Sequence, residues 1–250
     1  MFYDDELNVN RGLVDLMGKI AAEQERRGEE WRLRGFIKAE LFTDEQAAAM
    51  RHAGFRWILV GFESGADRIL DNINKKATKA DNTRCIEIAR RHGLKVKALM
   101  SLGHPGESPA TIAETRDWLL EVRPDDFDVT VITPYPGSPY YDDAIPLEGV
   151  YVYECRNGDR LYQNEVDYTA EADYYKGAPG DYVSHVWTDY LSPATLVICR
   201  DSLEREVRAA LGIQYNPATA AQLYEHSMGQ MALPPSLLRR TPGFDSVRAS

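Results

Sequence analysis

Residues 55–62, FRWILVGF, constrain the fold more than any other stretch of the chain. An almost unbroken apolar run of strand length is the pattern of a strand buried on both faces, and such strands belong to parallel sheets covered by helices. The flanking sequence agrees. Thr43 and Gln46 form a capping-box pair that opens a helix ending at Gly54, just before the run. After it comes a helix with Cys85, Ile88 and Ala89 inward, ending at Gly93, and then a strand over 94–102.

The same rhythm extends in both directions. Leu13, Leu16, Met17 and Ile20 share one helical face within 10–27, and 31–38 reads as a short strand. Ser108 as N-cap with Pro109 at the first helical position starts a helix carrying Ile112, Leu119 and Val122 inward, and 127–133 is a further strand. Phe2 and Tyr3 read as the tail of a strand ahead of Asp4 and Asp5. Strand and helix thus alternate through short loops from the start to about residue 133, the signature of an α/β parallel sheet with crossover helices.

The texture changes after Pro134. Residues 151–163 read as a β-hairpin turning on Asn157-Gly158, and a Tyr/Gly/Asp-rich stretch follows. Ser192-Pro193 caps a long amphipathic helix that ends at Gly212, and beyond about 230 the chain reads as a loose tail. The expected division is a barrel-like part at 1–140, an α+β appendage at 141–215 and a helical or loose tail at 216–250.

Charge and composition exclude several function classes. A net charge of −10 disfavours nucleic acid, whose backbone calls for clustered Lys and Arg. No run approaches the length of a membrane span, and the N-terminus lacks the basic and apolar regions of a signal peptide, so the expected setting is the cytoplasm. Cys85, Cys155 and Cys199 are odd in number and widely separated, which gives neither a disulfide framework nor a metal knuckle and points to reduced thiols in a core. GxGxxG, GxxxxGK, HExxH and GxSxG are all absent.

In parallel α/β sheets, ligands bind at the carboxyl ends of the strands. The residues that follow each expected strand are therefore the candidate site. They are Asp4 and Asp5; Lys38 and Glu40; Gly61, Glu63, Ser64 and Gly65; Gly103, His104, Pro105, Gly106 and Glu107; and Pro134, Tyr135, Pro136, Gly137 and Ser138. Glycines let backbone approach a ligand, and the carboxylates and hydroxyls accept or donate hydrogen bonds. Glu63 stands out, because a carboxylate directly after an apolar strand needs a partner or a ligand. Its other reading is a charge favoured at a helix N-terminus. Tyr174, Tyr175, Lys176, His185 and Trp187 are candidates for a cover that touches substrate, or for a packed structural extension.

Residues 1–145 resemble radical S-adenosylmethionine (radical SAM) enzymes, and within them the group that carries an N-terminal cobalamin-binding domain. The matching segments are 2–5 with Asn10-Arg11, Lys38-Ala39-Glu40 before Thr43, the Ala53-Gly54 helix end, and GFESG at 61–65 with Ile69-Leu70 and Asn74-Lys75. GHPGES at 103–108 and PYPGSP at 134–139 complete the set. The resemblance implies a partial (β/α)6 TIM-like barrel, SAM and a [4Fe–4S] cluster, with cobalamin in the full-length protein. The cluster reduces SAM, and the resulting 5′-deoxyadenosyl radical abstracts a substrate hydrogen.

By position, the resemblance implies that Asp4 and Asp5 face the SAM amino group, Glu63 and Ser64 the ribose or methionine part, and Gly103, His104, Pro105 and Gly106 the adenine. Lys38 stands where many relatives have arginine. Tyr135 and His185 are the expected substrate contacts. The family's CxxxCxxC cluster motif is not in the sequence. The chain is therefore expected to begin at the family's second strand, to lack a cluster-bearing and cobalamin-binding N-terminal segment, and to be inactive alone. The expected substrate is a small molecule. Two other readings stand beside this one: a non-catalytic scaffold or decayed remnant, and a divalent-metal barrel enzyme using Asp4, Glu63 and Glu107.

Overall fold

The computed structural model describes residues 1–2, 6–166, 168 and 183–214. Asp4, Asp5, Tyr174, Tyr175, Lys176 and the 216–250 tail lie outside the described residues. The chain divides into two compact units. The first comprises 1–101, 110–129 and 203–214, and the second comprises 102–109, 130–202 and the segment from 215 onward.

The first unit is built on strands β1 (Leu33–Ile37), β2 (Phe55–Glu63), β3 (Lys95–Leu102) and β4 (Asp126–Val131), the last two running on into the second unit. The sheet order is β1-β2-β3-β4, with β1–β2 and β2–β3 parallel. The bonds Asp125 N→Val96 O and Ile132 N→Leu102 O carry the same direction into β4. Strands in unbroken sequence order form the wall of a (β/α) barrel, whereas doubly wound sheets reverse order at a switch point.

Helix α1 (Leu13–Arg27) precedes β1, and helices α2 (Asp44–His52), α3 (Asp67–Asn72), α4 (Lys79–Arg91) and α5 (Pro109–Val122) connect the strands. Both Thr43 and Thr78 make full capping boxes, with Gln46 and Asp81 as the reciprocal partners. Each box satisfies two amide donors that a helix start otherwise leaves open. Phe55, Ile58, Val60 and Phe62 of β2 are completely buried, but Trp57, Leu59 and Gly61 between them are only half-buried. The apolar run therefore has one fully covered face rather than the expected two. On the other face Trp57 and Leu59 pair with Lys95 and Lys97, and the Lys95 ammonium lies 5.4 Å from the Trp57 ring centroid.

The second unit holds α6 (Pro139–Asp142) and an antiparallel sheet of order β5-β6-β7-β8: β5 (Ile145–Leu147), β6 (Val150–Glu154), β7 (Arg160–Gln163) and β8 (Val186–Thr188). The expected hairpin is β6–β7, with Glu154 paired to Arg160 and Gly158 at φ 82°. Helix α7 (Pro193–Leu211) starts at Ser192, whose hydroxyl accepts from the Thr195 amide, and ends at Gly212 with φ 68°. No helix among the described residues is long and apolar enough to cross a membrane.

Candidate cofactor-binding rim

The carboxyl end of β2 does not run straight into its helix. The Ser64 amide donates to the Phe62 carbonyl at 2.8 Å, and Glu63 between them has φ 64°. An i→i+2 bond around a positive-φ residue is a γ-turn of the rare, strained kind. A side-chain-bearing residue held there costs about 1–3 kcal/mol, which the surroundings must offset. The sheet register also slips between Gly61 and Glu63, so that Glu63 comes opposite Met100 of β3.

The turn turns the Glu63 side chain back over Gly61. One carboxylate oxygen, Oε1, lies 3.2 Å from Lys75 Nζ, and the other, Oε2, accepts from the Ser101 hydroxyl at 2.7 Å. A Cβ at position 61 would sit 2.6 Å from Oε1 and 3.6 Å from Lys75 Nζ, so a side chain there would push the carboxylate from its place. Lys75 is itself set by a positive-φ residue, Asn74 at φ 54°. The pair is partly accessible, with 29% of the Glu63 side chain and 20% of the Lys75 side chain exposed. The result is a carboxylate, an ammonium and a hydroxyl grouped at one strand end, suited to a ligand with amino, carboxylate and hydroxyl groups.

Ser64 takes a different place from the one expected of a cofactor contact. It is fully buried, and its hydroxyl lies 3.0 Å from that of Thr115 on α5. Lys38, after β1, sits 3.2 Å from Glu6 and 3.8 Å from Glu40. Its backbone is held by Asn8, whose side chain exchanges two hydrogen bonds with the Lys38 amide and carbonyl.

In the second unit, residues 103–107 are buried without exception. Gly103 has φ 93°, and a Cβ there would meet Val186 at 3.1 Å. Gly106, at φ 81°, lies in the turn closed by Glu107 N→His104 O, and Pro105 stands between. His104 Nδ1 lies 3.0 Å from the Tyr140 hydroxyl, and the Tyr140 ring meets that of Tyr153 edge-on at 5.0 Å. The Glu107 carbonyl accepts from the Thr188 hydroxyl at 2.8 Å. Tyr135 packs against Tyr168, ring centroids 5.6 Å apart, in a small core with Tyr141 and Val166. His185 is half-buried, and desolvation pushes its pKa below the usual imidazole range. Sequence reasoning did not single out Tyr140, Ser101 or Thr115. Lys75 entered only as part of a matching segment.

Residues 1–119 match the model of the Radical SAM superfamily. The match covers just under half of the chain.

A putative methylthiotransferase of Methanocaldococcus jannaschii is 24% identical over 169 residues, covering 64% of this chain and 38% of its own length. An uncharacterized methyltransferase of Pyrococcus horikoshii is 27% identical over 145 residues, 58% of this chain and 31% of its own. The chain thus spans roughly a third of the length of these curated relatives. Among solved structures, the radical S-adenosylmethionine methyltransferase TsrM from Kitasatospora setae, with tryptophan substrate and a SAM analogue bound, matches with a TM-score of 0.55. That match is at 17% identity over 88% of this chain and 43% of that one. A second structure of that protein, with cobalamin and a [4Fe–4S] cluster bound, matches at TM-score 0.53. At such identity the likeness speaks for the fold alone.

SAM and a [4Fe–4S] cluster are the cofactors of radical SAM proteins. The Glu63–Lys75–Ser101 group over Gly61 fits the SAM side of that pair. The cluster side does not fit. A cluster needs thiolates that converge on it, whereas Cys85 is buried on α4, Cys155 is in the β6–β7 turn and Cys199 is on α7. Burial pushes the Cys85 thiol up to about 12, so it stays protonated. Among the described residues no three His, Cys, Asp or Glu side chains are grouped to hold a metal.

Proposed function

We propose that this chain supplies the SAM-binding rim of a cytoplasmic radical SAM enzyme that modifies or methylates a small molecule. The observation that carries this reading is Glu63 in its γ-turn, held on both oxygens by Lys75 and Ser101. In this reading Glu63 accepts from the ribose hydroxyls or the ammonium of SAM. Asp4, Asp5 and Lys38 take the charged methionine end. Ser64 acts through the turn rather than by touching SAM, since its hydroxyl is buried against Thr115. Tyr135 and His185 serve the substrate. The net charge of −10 suits a small-molecule substrate better than a nucleic acid.

The cluster, and cobalamin if the reaction is a methyl transfer, come from a segment or partner that carries the CxxxCxxC motif. Cys85, Cys155 and Cys199 do not replace it, so the chain alone binds SAM without cleaving it. Two measurements test this. Isothermal titration with S-adenosylhomocysteine is expected to give saturable binding that Glu63→Gln weakens by tenfold or more, and equal affinity for the two proteins would sink the rim assignment. Reconstitution with iron and sulfide is expected to give neither a cluster absorbance near ~400 nm nor 5′-deoxyadenosine. Their appearance would overturn the claim of incompetence.

A further inference from the structure

The strained turn that presents Glu63 is held from behind by one buried hydroxyl. Thr115 lies in the middle of α5 and is fully buried. Its Oγ1 accepts from the Gly65 amide at 3.0 Å and shares a 3.0 Å hydrogen bond with the Ser64 hydroxyl. Ser64 Oγ in turn accepts from the Ala66 amide at 3.1 Å. Two hydroxyls thus satisfy two successive backbone donors just past the turn, in a place that water does not reach.

Close packing fixes the same contact sterically. A Cβ at Gly65 would lie 2.8 Å from Thr115 Cα and 2.8 Å from Trp118 Cβ, so the backbone of the turn rests directly on α5. Phe62, the first residue of the turn, meets the Trp118 ring edge-on at 5.4 Å. Its carbonyl accepts from Asn82 Nδ2 of α4 at 3.3 Å as well as from the Ser64 amide. Both residues flanking Glu63 are therefore held from beneath, by α4 and α5, and the positive φ of Glu63 is the conformation left to the residue between them.

We infer that Thr115 is a positioning residue for Glu63: its hydroxyl, through Ser64 and Gly65, keeps the turn that holds the carboxylate between Lys75 and Ser101. This rests on the reading of Glu63 as the SAM contact. Without that hydroxyl the Gly65 amide has no acceptor, and the turn can relax toward an ordinary negative φ that moves the carboxylate off Gly61.

The test uses the full chain and S-adenosylhomocysteine as the probe, with Thr115→Val, which keeps shape and loses the hydroxyl, and Thr115→Ser, which keeps the hydroxyl. Affinity is measured well below the melting temperature of each protein. The expected result is an affinity about tenfold weaker in Thr115→Val, near-complete recovery in Thr115→Ser, and a loss in Glu63→Gln at least as large. If Glu63→Gln weakens binding while Thr115→Val binds like the parent, the inference fails and the rim assignment survives. Parental affinity in Glu63→Gln overturns both. Should Thr115→Val fail to fold, amide exchange in the parent decides: strong protection of the Gly65 amide is expected, and rapid exchange there would overturn the inference.

Discussion

Arg208 on α7 donates through Nη2 to the backbone carbonyl of Phe127 at 2.6 Å, while its guanidinium carbon lies 4.8 Å from the centroid of the Phe127 ring. The same guanidinium reaches Asp126 at 3.2 Å, Asp128 at 3.7 Å and Glu204 at 3.0 Å. Replacing it with Met leaves a buried carbonyl without this donor and acidic neighbours short of a cation. Lys97, 2.9 Å from Asp128, softens the loss. Arg208→Met is therefore expected to cost about 3 kcal/mol, the lower end for breaking a buried charged contact. Arg208→Lys, which keeps charge without the planar fork, should cost less. Urea unfolding of the three proteins checks the order.

Two glycines predict opposite outcomes for the same substitution. Gly18 lies within α1 with nothing within 4 Å of a would-be Cβ, so Gly18→Ala should stabilise by about 0.5–1 kcal/mol. Gly65 has backbone and side-chain atoms at 2.8 Å, so Gly65→Ala should destabilise by about 1–3 kcal/mol. Urea midpoints that shift in opposite directions at constant slope would bear this out.

Cys85 has a thiol pushed up to about 12 by burial. At pH 8 only about one molecule in ten thousand carries the thiolate that reacts. Iodoacetamide should leave Cys85 unlabelled in the native protein and modify it in urea, as peptide mass spectrometry would show. Labelling at the native state would mean that α4 opens far more readily than its packing indicates.

His185 sets a pH dependence. Its folded pKa is lowered by desolvation, so the unfolded chain takes up the proton first as pH falls below about 6.5. The stability linked to the neutral ring is complete above that value and is lost progressively as pH falls through the lower folded value. His185→Gln should flatten the fall in urea midpoint between pH 7.5 and pH 5 relative to the parent protein. An identical fall in both would place the titration elsewhere.

Much of the first unit was legible in the sequence because its signals are local. The Thr43–Gln46 box, the stop at Gly54 and the 55–62 run each state an element within a few residues, and all three are present. The short elements were not legible. Helix α3 has six residues, and β5 and β8 have three each, too few for a period to register. The rim was legible as a list of strand-end residues but not as an arrangement. Glu63 is recognisable as an acid after an apolar strand, yet nothing local says that its partners are Lys75 and Ser101, 12 and 38 positions on. Thr115 left one trace. With Thr111 it places two buried hydroxyls four residues apart on the helix face that also carries Ile112, Leu119 and Val122. Polar residues on an inward face call for a partner.

The Glu63 carboxylate occupies the volume that a side chain at Gly61 would fill, and this makes the two positions a single unit of inheritance. A change at 61 is felt at 63 before any ligand is present, so substitutions there cannot be scored independently. For anyone transplanting this rim into another parallel sheet, the portable piece is not an acid at a strand end. It is the five-residue loop together with Lys75, Ser101 and the threonine beneath it, and a graft that omits the glycine or the threonine carries over the charge without its aim.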